Sequence, residues 1–163
     1  MSRPAAPSRE EYSHFLTIPT RWKDNDVYGH VNNAVYYSFI DTVVNCFLID
    51  NDLLDIKSSP TIGLAVETGC NYFGAIEYPD IVHAGLRVKQ LGNSSVTYDI
   101  GIFKNNDSTA SAQGHFVHVY VDEKTRRPVN ISAIMREKLS TICLLYTSPS
   151  PRDATLSRMP SSA

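Results

Sequence analysis

Between Arg21 and Asn33 the chain gathers residue types that can do chemistry: the carboxylates Asp24 and Asp26, the pair Gly29-His30, and the adjacent amides Asn32 and Asn33. A carboxylate held in a partly dry site against an electrophilic carbonyl, such as that of a thioester, either attacks it to form an anhydride or deprotonates a water. Spacing alone favours the reading in which Asp26 caps a turn or helix. Asp24, two residues earlier, fits a role in orienting Arg21 or capping the loop.

The element that must hold this run follows at once. Asn32 to Ile49 is long enough for a helix of about five turns, and its only charge is Asp41. Val35, Phe39, Val43 and Cys46 line one side and Tyr36, Ile40, Val44 and Phe47 the next, so the helix calls for a covering on more than one side. It falls short of the roughly 20 apolar residues that span a bilayer, and polar residues interrupt it, so protein must cover it. Asn32 or Asn33 suits the N-cap, and a helix start there offers unpaired N–H groups and a positive partial charge to an oxygen turning negative.

Before the helix, His14 to Pro19 reads as a short strand; after it the period becomes two. A strand from Ile62 toward Phe73 is expected to bend or bulge at Gly69 or Gly74. Ile81–Leu91 alternates Val82, Ala84, Leu86 and Val88 against His83, Arg87 and Lys89, as a half-buried antiparallel strand does. A third strand carries Val96, Tyr98, Ile100 and Ile102, and a fourth runs from about Ser108 to Val121, with turns at Gly92-Asn93-Ser94 and Asn105-Asn106-Asp107. The fourth bears large residues on both faces, which favours a dimer. Ser132 to Leu139 is expected to close the domain with a short helix whose apolar residues are Ala133, Ile134, Met135 and Leu139.

The 163 residues suit one domain. With 42% hydrophobic and 20% charged residues, the composition is that of an ordinary folded domain. A net charge of −2 gives no basic excess, so nucleic acid is not an expected partner. Three scattered cysteines make neither a disulfide framework nor a zinc cluster and suit a reducing, cytoplasmic setting. Residues 1–12 are expected to be a disordered leader, residues 13–142 the domain, and residues 143–163 a disordered tail; that tail resembles translated adapter or vector sequence and is expected to be non-native.

One early buried helix followed by an antiparallel sheet is an α+β pattern in which the sheet can wrap the helix, the outline of the hot-dog fold. The run Asp24 to Asn33, followed by Tyr36, resembles the D-x-D-x-x-G-H-V-N-N-x-x-Y signature of the 4-hydroxybenzoyl-CoA thioesterase-like family of acyl-CoA thioesterases, and Phe116 to Val129 resembles its last strand and turn. The likeness covers about His14 to Leu139. It implies a hot-dog domain that hydrolyses an acyl-CoA thioester, with Asp26 as nucleophile or general base and the backbone amide of Asn33 facing the developing oxyanion. His30 is either a further polar contact or general acid, or a structural residue of the loop. Tyr28, Gly29 and Tyr36 are the expected substrate contacts nearby.

Two sites are expected away from the motif. Arg126 and Arg127, with Lys124, form a basic cluster that would meet the phosphates of CoA or else remain a solvated turn. Ser95 would touch the pantetheine arm unless its turn is only a hairpin. His115 and His118, three apart on a strand, face opposite ways and cannot chelate together; no metal is expected, and no cofactor beyond CoA as part of the substrate. The expected assembly is a homodimer or a dimer of dimers, away from membranes. The alternative activity is a non-catalytic module that binds acyl-CoA or acyl-carrier protein.

Overall fold

The longest helix packs against the central strands of the sheet because each presents a broad apolar surface. The computed structural model describes residues 4–55 and 57–143. Strand β1 (His14–Pro19) leads through a short 3-10 turn, Trp22–Asp24, into helix α1 (Asn33–Asp50); strands β2 (Thr61–Tyr72), β3 (Ile81–Leu91), β4 (Ser95–Lys104) and β5 (Ala112–Asp122) follow, and helix α2 (Ala133–Ser140) ends the domain. The sheet is antiparallel with order β1-β3-β4-β5-β2. β2, next after α1 in the chain, therefore crosses to the far edge and pairs with β5. This is the hot-dog fold that the sequence led us to expect.

Asn32 is the N-cap of α1, its side chain accepting the Ala34 N–H at 2.9 Å. Tyr36, Phe39, Ile40, Val43, Val44, Phe47 and Leu48 are buried against the sheet. At roughly 1.5–3 kcal/mol for each large apolar side chain buried, packing rather than propensity holds a helix so rich in β-branched residues. Val35 and Cys46 are half-buried, while Tyr37, Ser38, Asp41 and Thr42 face outward. No described helix is long and apolar enough to cross a membrane.

Facing α1, Val82, Ala84, Leu86 and Val88 of β3 and Val96, Tyr98, Ile100 and Ile102 of β4 are almost completely buried. Phe116, His118 and Tyr120 of β5 share this side, and His115 lies on the other, where it pairs with Glu67 at 2.9 Å. The expected irregularity in β2 falls elsewhere: the register shifts between Ala65 and Glu67, while Gly69 stays in register opposite His115. Gly69 is small for a packing reason, since a Cβ there would stand 2.4 Å from the His115 ring. Ile134, expected on the apolar face of the last helix, is exposed; Met135 and Leu139 make the contact.

The leader expectation is corrected for its second half. Arg9 hydrogen-bonds through its guanidinium to the carbonyls of Asn105 and Asp107 and stacks on Phe103. Tyr12 is buried, donates to Asp99 at 2.9 Å, and lies over the cross-strand pair Gly85 and Gly101, either of which would strike its ring if it bore a Cβ. Polar spelling concealed a segment that covers the outer face of the sheet. At the other end Ile142 packs into the core and Cys143 bridges to Val88; the rest of the expected tail lies outside the described residues.

Candidate active site

The motif loop is built from the backbone outward. Asp24 is 2% exposed, and its carboxylate takes the Arg21 guanidinium at 2.9 Å and the Arg21 N–H at 2.8 Å. Its own carbonyl accepts the N–H of Asn32, which fixes the start of α1. Asp24 is thus the anchor of the loop.

Beyond it, Asn25 and Val31 bridge as a narrow hairpin, with the Asp26 N–H donating to the His30 carbonyl at 2.9 Å and the Gly29 N–H to the Asp26 carbonyl at 3.0 Å. Gly29 has φ +82, a conformation that other residues adopt at a cost, which is why glycine closes this turn. The Val31 N–H donates to the Ile76 carbonyl, the Tyr78 N–H to the Asn25 side chain, and Trp22 packs edge-on to Tyr78. The connection from β2 to β3 therefore braces the loop. Sequence reading missed this brace; the only local signal was the break in period after Phe73.

Asp26 is half-buried and lines an open cleft with Trp22, Asn25, Val27, Tyr28, Gly29 and Asn32. One of its oxygens, Oδ1, accepts the Tyr28 N–H at 2.9 Å; Oδ2 has no hydrogen-bond partner among the described residues. Asn33 is the first residue of α1, and its N–H likewise finds no acceptor among them. A fixed carboxylate with one oxygen open stands near a helix start with an open N–H. That combination can attack, or deprotonate water for attack on, a carbonyl whose oxygen turns toward the helix.

The other expected residues divide into two groups. Tyr28 and His30 are exposed at the loop, and the described contacts of His30 run through its carbonyl. Tyr36 is 3% exposed and belongs to the core: it packs edge-on against Tyr72 and Phe39, and burial pushes its pKa up to about 12 even though an Ile76 backbone bond opposes the shift. Ser95, Arg126 and Arg127 lie at the opposite end of the sheet. Ser95 pairs with Val119, and the arginines follow Asp122 in a turn whose Lys124 and Thr125 N–H groups bond its carboxylate, holding its pKa below the usual range. The helix start borders the Ala112 end of β5, where Tyr72 pairs, so some 30 Å of strand separates the two groups in one chain. Among the described residues no cluster of three or more His, Cys, Asp or Glu could hold a metal ion.

The sequence profile of the thioesterase-like superfamily matches residues 20–139. Among solved structures, the PA5185 protein from Pseudomonas aeruginosa strain PAO1 is 47% identical over 85% of this chain and 97% of its own, with a TM-score of 0.82. The DHNA-CoA thioesterase from Staphylococcus aureus shares the fold at 18% identity, 78% and 89% coverage and a TM-score of 0.70. So does the 1,4-dihydroxy-2-naphthoyl-CoA thioesterase Slr0204 from Synechocystis, at 14%, 77% and 94%, and 0.71. No relative among curated proteins is matched.

Proposed function

The chain belongs to the thioesterase-like superfamily, and we propose that it hydrolyses acyl-CoA thioesters with Asp26 as the catalytic carboxylate. The observation that carries this reading is the pairing of an open Asp26 Oδ2 with the open Asn33 N–H at the start of α1. Attack of the carboxylate on the thioester carbon gives a tetrahedral oxyanion that the Asn33 N–H and the helix end stabilise. Expulsion of the CoA thiolate leaves a mixed anhydride, which water opens to the free acid while restoring Asp26. In the general-base route Asp26 takes the proton from that water instead.

Two copies complete the site. β2 is an edge strand whose middle, Leu64 to Thr68, is exposed and carries Leu64 and Val66 outward. Antiparallel pairing of two β2 edges about Val66 would join the sheets and bring the helix start of one copy, tied to Tyr72, beside Thr61 of the other. The arginine turn following Asp122, which pairs with Thr61, would then approach Asp26 of the partner, so that CoA phosphates meet Arg126 and Arg127 from the second copy.

Release of free thiol from a panel of acyl-CoA esters tests the chemistry. Asp26→Asn keeps an oxygen to accept the Tyr28 N–H but removes the charge, and should lower kcat by about 10²–10⁴-fold while substrate still binds. Equal release by wild type and variant would sink the assignment of Asp26. Tight binding without release from any ester would instead favour the non-catalytic binding module.

A further inference from the structure

Three polar side-chain atoms in the core have no hydrogen-bond partner among the described residues: the hydroxyls of Tyr98 and Tyr120 and Nδ1 of His118. Their residues are 0%, 6% and 5% exposed. They cluster on the side of the sheet that faces α1, with the His118 ring edge-on to Tyr98 at 5.7 Å and to Tyr120 at 6.1 Å. The two hydroxyls lie close enough to interact as a hydrogen-bonded pair, though outside good geometry, which leaves His118 Nδ1 as the atom with no partner at hand among the described residues. Leaving a buried polar atom unpaired is costly, so a core that sets His118 Nδ1 beside two weakly paired hydroxyls needs a reason.

His118 and Tyr120 open into a cleft of about 40 Å³ between Asn45 of α1 and Gly63 of β2, flanked by Leu53 and Leu54. Gly63 keeps it open, because a Cβ there would stand 3.2 Å from the Tyr120 ring and 3.3 Å from His118 Nδ1. The space admits roughly three water-sized groups, enough for the end of a chain but not for its length. Desolvation lowers the pKa of His118, against the pull of nearby Asp41, and burial raises that of Tyr120, so the two that line the cleft present uncharged hydrogen-bonding groups.

We propose that this cleft reads the far end of the acyl group, accepting a neutral hydroxyl or carbonyl oxygen carried away from the thioester. The inference rests on the thioesterase reading and on the two-fold pairing of β2, which sets the partner's helix start beside Thr61 and Gly63, at the mouth of the cleft. Among the described residues no lysine or arginine lines the cleft, and Asp41 is near, so a carboxylate end is disfavoured. A methyl end would seal His118 Nδ1 and the Tyr120 hydroxyl away from water without giving either a hydrogen bond.

The test compares straight-chain acyl-CoA esters from hexanoyl to decanoyl with the same chains bearing a terminal hydroxyl. kcat/KM is measured for the esters, and Kd by calorimetry for the matching non-hydrolysable CoA thioethers. At the best length the wild type should favour the hydroxylated chain by about tenfold or more in both. Tyr120→Phe, which removes one hydroxyl, and Gly63→Ala, which fills the mouth, should each bring the ratio toward one, with circular dichroism verifying the fold. A wild-type ratio near one at every length, or a ratio unchanged in both variants, overturns the proposal and leaves the cleft as space that hydrates the core. If no ester is hydrolysed yet thioether binding keeps the preference, the thioesterase reading fails and the cleft's role stands.

Discussion

The phenol of Tyr72 donates to the carbonyl of Asn33 across 3.0 Å, fastening the last residue of β2 to the first residue of α1. Burial, reinforced by nearby Cys70, raises the pKa of Tyr72, so it remains a donor throughout the neutral range. The motif loop and the edge strand of the sheet are coupled through this contact.

Tyr72→Phe keeps the edge-on packing against Tyr36 and removes only the hydroxyl. Stability should drop by about 0.5–1.5 kcal/mol in urea unfolding, with a several-fold loss in kcat/KM as the helix start loosens. If neither changes, the start of α1 is held without this bond.

Asn33 separates a backbone role from a side-chain role. Proline is tolerated at the first position of a helix, and Asn32 already has the extended backbone that a residue before proline requires, with φ −59 and ψ 137. Asn33→Pro should therefore fold normally but lose the open N–H, lowering kcat by about 10²-fold or more, whereas Asn33→Ala keeps the N–H and should change kcat little. Equal behaviour of the two variants in steady-state kinetics would remove the Asn33 amide from the mechanism.

If Asp26 of one copy works with Arg126 and Arg127 of the other, two crippled proteins can repair each other. Asp26→Asn mixed with Arg126→Ala/Arg127→Ala, after dissociation and reassociation at equal amounts, should recover about a quarter of wild-type kcat/KM, since half the dimers carry one intact site of two. The arginine variant alone should show a raised KM, by a modest factor that shrinks as salt screens the wild-type contact. Recovery no better than the sum of the separate proteins, or a monodisperse monomer in light scattering, would refute the shared site.

His118 also predicts a pH dependence of stability. Its folded pKa lies below the ordinary 6.5 because desolvation disfavours the imidazolium, so as pH falls through 6.5 the unfolded chain takes up a proton that the folded chain refuses. The contribution is fully present above that value and is lost below it, down to the folded pKa. His14 and His83 are shifted the same way, mainly by burial, so the informative quantity is a difference. Between about pH 7 and pH 5 the Tm of wild type should fall more steeply than that of His118→Gln. Parallel curves would mean that His118 titrates as if solvated.

Local pattern was sufficient wherever a residue's surroundings repeat with the chain. The alternation from Ile81 to Leu91 named β3 to the residue because one face of that strand is sealed against α1 and the other is not. Asn32 disclosed the start of α1 because an N-cap is satisfied within its own first turn. The motif from Asp24 to Asn33 was legible for the same reason: most of its hydrogen bonds close among neighbours, through Arg21, Tyr28, Gly29 and His30.

What depends on distant residues was decided only by the fold. Gly69 carried a plausible bulge signal, but the bulge lies at Val66, and Gly69 is explained by a histidine 46 positions later. The polar leader gave no sign that Tyr12 would be seated on Gly85 and Gly101. The sequence assigned Asp26 to the thioester and Arg126 and Arg127 to the CoA phosphates, while the length of β5 sets them at opposite ends of the chain's own sheet. By sequence His118 is weighed as a metal ligand and otherwise counts, like Tyr120, among the large residues of β5; the helix that dries them and the glycine that leaves them a cleft come from elsewhere in the chain. A strand's period tells which face a residue takes, but what covers that face depends on which distant segments close upon it.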